Sequence, residues 1–157
     1  MQLSAVDMHV ITQAVTGIGL YSDLRQWAQV AELLADEVML DYTSLFGGKA
    51  AASSRGETID QMRATLQGFD ATQHLIGNVQ VTAVNADEAT TVSHVRATHL
   101  IDDRFWVVAG VYSHRLARTP DGWNVTYQRF QRLYEEGSRS ALRDAAARAA
   151  QTSDSVV

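Results

Sequence analysis

The sequence predicts an α+β fold: a cone-like curved mixed or antiparallel sheet with N-terminal helices packed on its concave face. Three observations lead there. Helical spacing dominates the N-terminal part of the chain, four strand-like runs follow between Gly77 and Tyr134, and turn-forming residues separate those runs. Strands as long as Ala89–Ile101 need curvature or bulges, and a half-open cone closed by helices encloses a small-molecule cavity.

From Ser4 to about Tyr21, Val6, Val10, Ala14 and Ile18 recur at four-residue steps, with Ser4 or Asp7 available as a cap. Gly17 and Gly19 weaken that helix by roughly 1 kcal/mol each relative to alanine, or permit close packing. A break near Tyr21-Ser22-Asp23 leads to a second helical run, Leu24 to Leu34, with Trp27, Val30, Ala31 and Leu34 on one face. Val38 to Tyr42 alternates as a short strand, its Val38, Leu40 and Tyr42 pointing one way. The small, glycine-rich stretch Phe46 to Arg55 reads as a mobile loop, and Glu57 to Phe69 as a third helix. The strands Gly77–Val84, Ala89–Ile101, Phe105–Arg118 and Trp123–Tyr134 come next. Asn85-Ala86-Asp87-Glu88, Asp102-Asp103 and Thr119-Pro120-Asp121-Gly122 supply the turns between them. The alanine- and arginine-rich segment Ser138 to Gln151 reads as a surface helix. The expected organisation is an α+β domain over 1–135 and a C-terminal helix and tail over 136–157.

Composition narrows the function classes. In 157 residues, 46% are hydrophobic and 20% charged, ordinary for a soluble globular protein. The net charge of −5, with Lys49 as the only lysine, argues against a nucleic-acid partner, which demands clustered cations. No cysteine is present, so disulfides and thiolate metal sites are excluded. No apolar run approaches the roughly 18 residues of a membrane span, and the N-terminus lacks a signal-peptide pattern, so no membrane association and a cytoplasmic location are expected.

His74 lies in the short polar stretch Ala71–Asn78 between helix and strand, the best candidate for a proton-transfer group. Alternation along Ala89–Ile101 puts Thr91, Ser93, Val95, Ala97 and His99 on the inward face, so His99 is either a core or a pocket histidine. On the next strand the small residues Val107, Ala109, Val111 and Ser113 read as a pocket wall. Asp23 is either a helix N-cap or the carboxylate that orients a histidine, fixing its tautomer and raising its basicity. Tyr42 is a core tyrosine or a hydroxyl donor to a substrate carbonyl. A zinc site from His74, His99 and Asp23 lacks any H-x-x-H or HExxH spacing, so no metal is expected. His9, His94 and His114 read as surface or structural, and the tryptophans as core.

Several of these residues together carry a resemblance. Thr72-Gln73-His74-Leu75-Ile76-Gly77, taken with the helix–strand order, resembles the scytalone dehydratase family and the wider nuclear-transport-factor-2-like (SnoaL-like) superfamily, over about Ser4 to Tyr134. Asp23 with Trp27 four residues on matches that family's catalytic aspartate and the tryptophan after it. Leu40-Asp41-Tyr42 matches the strand end with a substrate-side tyrosine, and Arg96-Ala97-Thr98-His99 the segment of the second histidine. Asp121-Gly122-Trp123 resembles the turn before the last strand. Ser22 stands where the family has a second tyrosine, and Val111 and Ser113 where it has a serine and an asparagine, so the family's substrate does not carry over.

The resemblance implies a cofactor-independent lyase of dehydratase type, acting on a small hydrophobic cyclic or aromatic hydroxyketone. It implies catalytic roles for His74, Asp23, His99 and Tyr42, and substrate contacts from Ser113, Val111, Trp27 and Val95. A polyketide cyclase, an isomerase, a hydrolase or a non-catalytic ligand-binding module on the same scaffold are the alternatives. It also implies a homo-oligomer, trimer or dimer, assembled through the outer sheet face.

Overall fold

Two serine-capped helices and a long strand meander define the architecture of the computed structural model, which describes residues 3–154. Ser4 accepts from the Asp7 backbone N–H while Asp7 reaches back, a capping box that starts α1 (Ala5–Asp23). Ser54 and Glu57 do the same for α4 (Arg55–Leu66). Between them lie α2 (Trp27–Leu33), β1 (Leu34–Asp41), α3 (Thr43–Phe46) and β2 (Ala51–Ser54). The meander is β3 (Ala71–Ala83), β4 (Glu88–Ile101), β5 (Arg104–Thr119) and β6 (Gly122–Gly137), and α5 (Ser140–Asp154) follows.

The strands form one six-stranded mixed sheet in the order β2-β1-β6-β5-β4-β3, curved and unclosed. β1 runs parallel to β6, and the other neighbours are antiparallel. Register shifts at Gly77/Gln80 in β3 and at Ala109/Gly110 and Arg115/Leu116 in β5 supply the bends that long strands need to curl.

Apolar residues of α1, α2 and α4 (Ile11, Val15, Val30, Ile59 and Leu66 among them) pack with Val38, Leu116 and Val125 of the sheet as one core. A second cluster surrounds Phe69, Ala97, Trp106, Tyr112 and Phe130, and Ala141 and Ala145 of α5 close it from outside. Gly68 allows that closure, because a Cβ there would strike the Ala145 carbonyl. Arg148 fastens the helix by donating to Asp70 (2.7 Å), Asp102 (2.9 Å) and the Gly68 carbonyl (3.2 Å). Among the described residues no helix is long and apolar enough to cross a membrane.

Three sequence expectations change. The stretch read as a mobile loop from Phe46 contains β2, hydrogen-bonded to β1 with Met39 opposite Ala52. The strand expected from Gly77 begins at Ala71, so His74 is a strand residue with a fixed inward direction. The helix expected from Leu24 starts at Trp27, because Arg25 takes a left-handed backbone (φ 58°) and turns the chain.

Candidate active site

β3 and β4 bring the two inward histidines together. Thr72 lies opposite His99 and His74 opposite Ala97, so His74 and His99 are diagonal neighbours on one sheet face. Their rings meet edge to face with centroids 5.6 Å apart. α1 crosses above, and it can come close because residue 19 is glycine: a Cβ there would lie 3.0 Å from His74 Cβ. That crossing delivers Asp23, the last residue of α1, to His74.

Asp23 is not an N-cap. Its Oδ2 accepts from the backbone N–H of His74 (2.7 Å) and its Oδ1 from the ring Nδ1 (2.7 Å). Donation through Nδ1 leaves Nε2 as the unprotonated nitrogen of the neutral ring, and His74 lines the cavity below. The Arg25 guanidinium donates to Thr72 Oγ1 (3.0 Å) and to the Ser22 carbonyl (3.0 Å). Because the Thr72 oxygen accepts from Arg25, its hydroxyl hydrogen is directed to Asp23 Oδ1 (2.9 Å). Burial acts to raise the Asp23 carboxyl, but the His74 ring, its backbone N–H and Thr72 outweigh it and hold the group below its usual value. Asp23 is therefore a carboxylate at neutral pH.

His99 is nearly inaccessible and donates from Nδ1 to the carbonyl of Trp106 (3.0 Å), its cross-strand neighbour. Burial and the adjacent His74 push its pKa down to about 4 against the pull of that hydrogen bond. It is thus a neutral ring that presents Nε2 as an acceptor. Phe69 and Trp106 hold it from two sides, at centroid distances of 5.0 and 4.6 Å.

These groups face a cavity of about 590 Å³ between the helices and the concave sheet. Its walls include Ile18, Leu66, Ile76, Val95, Val108 and Phe130, with Phe46, Gly47 and Lys49 at the exposed rim. Tyr42, Tyr112, His114 and Gln128 line the same cavity. Tyr42 stacks on Phe130, and burial raises both tyrosines' pKa, so both phenols stay protonated. A second depression of about 880 Å³ follows α1 and the strands past Leu75, Arg96 and Leu133, and it touches neither His99 nor Tyr42. Among the described residues no three of His, Asp and Glu gather as a metal site.

The structure brings His74, Asp23, His99, Tyr42 and Val95 to one place. It does not bring the other sequence candidates there. Val111 and Ser113 lie on the opposite face of β5, whose inward residues are Trp106, Val108, Tyr112 and His114. Small size does not mark the pocket side here: Val111 and Ser113 are half-buried, while the larger Tyr112 and His114 are the buried residues that line the cavity. Trp27 packs in the helical core under the Arg63 guanidinium, 5.9 Å from its ring centroid, away from the cavity. His114, read from the sequence as surface or structural, is structural and only 2% exposed. One signal for it existed: it shares the parity of Trp106 and Tyr112. His94 is exposed and meets Asn78 (2.9 Å).

Comparison with known proteins agrees with this fold. No curated protein sequence matches the chain. A solved protein from Kribbella flavida, Kfla4162, superposes with a TM-score of 0.81 at 26% identity, over 88% of this chain and 97% of its own. A protein from Novosphingobium aromaticivorans, provisionally named a scytalone dehydratase, gives 0.71 at 18% identity, over 85% and 88%. Hexachlorocyclohexane dehydrochlorinase LinA-type3 from Novosphingobium barchaimii gives 0.72 at 15%, over 86% and 94%. The model of the SnoaL-like domain matches residues 4–129, and the chain belongs to the SnoaL-like family.

Proposed function

We propose that the protein is a lyase of dehydratase type, removing water from a small cyclic β-hydroxy ketone without a cofactor. The observation that carries this reading is the two-point grip of Asp23 on His74, which leaves one imidazole nitrogen for an apolar cavity. Two of the similar structures bear names of elimination enzymes, a dehydratase and a dehydrochlorinase.

His74 Nε2 takes the proton from the carbon next to the carbonyl. The electron pair moves toward the carbonyl oxygen, where the Tyr42 hydroxyl stabilises the developing enolate. Asp23 stabilises the imidazolium that forms. His99, neutral and accepting at Nε2, holds the hydrogen of the departing hydroxyl and so aims its oxygen at His74. As the enolate expels that hydroxyl, the imidazolium returns its proton and water leaves. Proton transfer by a placed histidine supplies roughly 10²–10⁴-fold, and enolate stabilisation the remainder.

The β-hydroxy derivative of α-tetralone tests the reading, since its dehydration yields a fluorescent naphthol. Wild-type protein should form naphthol and His74→Ala should not. Naphthol formation that survives His74→Ala, or binding of the ketone with no turnover by wild type, contradicts it, the second result favouring a ligand-binding module.

Assembly is part of the same proposal. Leu75, Val92 and Leu133 are each at least half exposed on the strands of the meander, an apolar surface suited to a second copy of the chain. Sedimentation as a 17.2 kDa species would remove it.

A further inference from the structure

The burial of its lining shows where the cavity opens. Of the described residues that line it, Phe46, Gly47, Lys49, Ala51, Gln61 and Ala64 are exposed, and the others are buried or half-buried. The mouth therefore lies between the segment 46–51 and α4. Strand pairing fixes which way that segment faces. Ala51 stands directly opposite Leu40 and Ser53 opposite Val38, and opposite residues of neighbouring strands point to the same side. Val38 is fully buried and Leu40 lines the cavity, so Ala51 and Ser53 face inward too. Lys49, two residues before Ala51, continues that row to the rim. Gly47 (φ 72°) and Gly48 (φ 75°) turn the chain out of α3 and bring the row there.

The charge at this mouth is of one sign. Lys49 is the one lysine or arginine among the described residues that line the cavity, and no Asp or Glu is among them. Its ammonium has no ion pair or hydrogen bond with the described residues. The neighbouring cation is already engaged: Arg139 stands over the Phe46 ring at 6.0 Å but donates twice to Glu135, at 2.8 Å each. The rest of the mouth is small or neutral. Ala51 and Ala64 leave room, and Ser53 of β2 meets Gln61 of α4 at 3.3 Å. In a chain of net charge −5, a negative ligand finds an attraction here that the surface at large does not offer.

We propose that Lys49 marks a carboxylate subsite at the mouth, and that the ligand is a hydrophobic ring carrying one carboxylate at its outer end. The proposal rests on the function proposed above for the ligand's being a substrate, and it adds a feature of that substrate. Its reacting carbons lie at His74, beside the nearly inaccessible His99, which leaves the far end of the ring toward the mouth. A carboxylate fits better than a phosphate. The mouth offers one cation and no arginine fork, whereas a phosphate dianion calls for several charged donors. Lys49 is exposed and acts as a point charge on a flexible stem, so the attraction is modest and falls with salt. It selects the ligand and takes no part in the elimination.

The test is calorimetric binding of two ligands to the whole protein: a tetralone with a carboxylate on its aromatic ring, far from the carbonyl, and the primary amide of the same acid. Wild type should bind the acid about tenfold tighter than the amide, and the preference should shrink as salt is raised. Lys49→Gln should bind the two equally and leave the amide's affinity unchanged. Lys49→Arg should keep the preference, and Lys49→Glu should reverse it. An exposed position tolerates all three, so the variants should fold. Equal affinities in wild type, or a preference that survives Lys49→Gln, would overturn the subsite. Turnover of the neutral β-hydroxy ketone reports the chemistry separately. Dehydration without the preference keeps the lyase and removes the subsite. The preference without dehydration keeps the subsite and removes the lyase, and failure of both ligands to bind removes both.

Discussion

Asp23 holds His74 at two points, one carboxylate oxygen on the backbone N–H and the other on ring Nδ1, both at 2.7 Å. The backbone contact fixes where the residue sits, and the ring contact fixes which nitrogen carries the hydrogen. Asp23→Asn keeps the shape but removes the charge and can present N–H₂ where an acceptor is needed. Turnover should fall by about 10²–10⁴-fold with binding of α-tetralone nearly unchanged. A kcat within threefold of wild type in steady-state assays would contradict the role given to the carboxylate.

Thr72 passes the influence of Arg25 to the same carboxylate. Thr72→Val is close in volume but leaves an Arg25 N–H and one lone pair of Asp23 without this partner. Losing a buried hydrogen-bond partner costs about 1–3 kcal/mol, so the urea midpoint should drop. The acid limb of the pH–rate profile should also move up, because Asp23 loses one of the contacts that lower its pKa. An unchanged profile would leave Thr72 with packing alone.

Acid should unfold the protein early. His99 and His114 each have a folded pKa pushed down to about 4 by burial, against an ordinary 6.5. The unfolded chain therefore binds protons that the folded one refuses, and stability falls as pH drops from about 6.5 toward 4. Asp23, lowered in the fold, adds to the loss in the same direction further into acid. Each histidine contributes on the order of 3 kcal/mol over that window. Urea unfolding at pH 7 and pH 4.5 should show the fall, and His114→Gln should flatten it. Equal stability at the two values would contradict neutral burial of the rings.

Gly68→Ala should loosen α5. A Cβ there collides with the carbonyl of Ala145, backbone against backbone, so the helix must shift. Overpacking of this kind costs about 1–3 kcal/mol. Hydrogen exchange should rise along α5 and around Arg148 before it rises in the sheet. Uniform protection would place the helix elsewhere in the stability of the fold.

Much of the fold was legible because it is written in alternation. β4 exposes its even residues and buries its odd ones almost without interruption, and the turn residues around it are unambiguous. β2 was hidden because Ala51-Ala52-Ser53-Ser54 has neither branched nor aromatic side chains to mark a strand. The start of β3 was hidden because Thr72 and His74 are inward polar residues, placed there for each other and for Asp23 rather than for a core. The same reason concealed His114 and Gln128: their partners come from three strands, and pairing between strands is not carried by any local pattern. Val111 and Ser113 are the half-buried positions of an alternation whose buried members are Tyr112 and His114, so small size marks the wrong face of β5.

The most direct measurement is nitrogen NMR of the histidine rings across pH, on wild type and on Asp23→Asn. The account predicts that His74 in wild type shows one fixed tautomer, protonated at Nδ1 and bare at Nε2, and that Asp23→Asn disturbs it while leaving His99 in place. A His74 ring that samples both tautomers in wild type, or that ignores the substitution, would contradict the paired base on which the proposed chemistry depends.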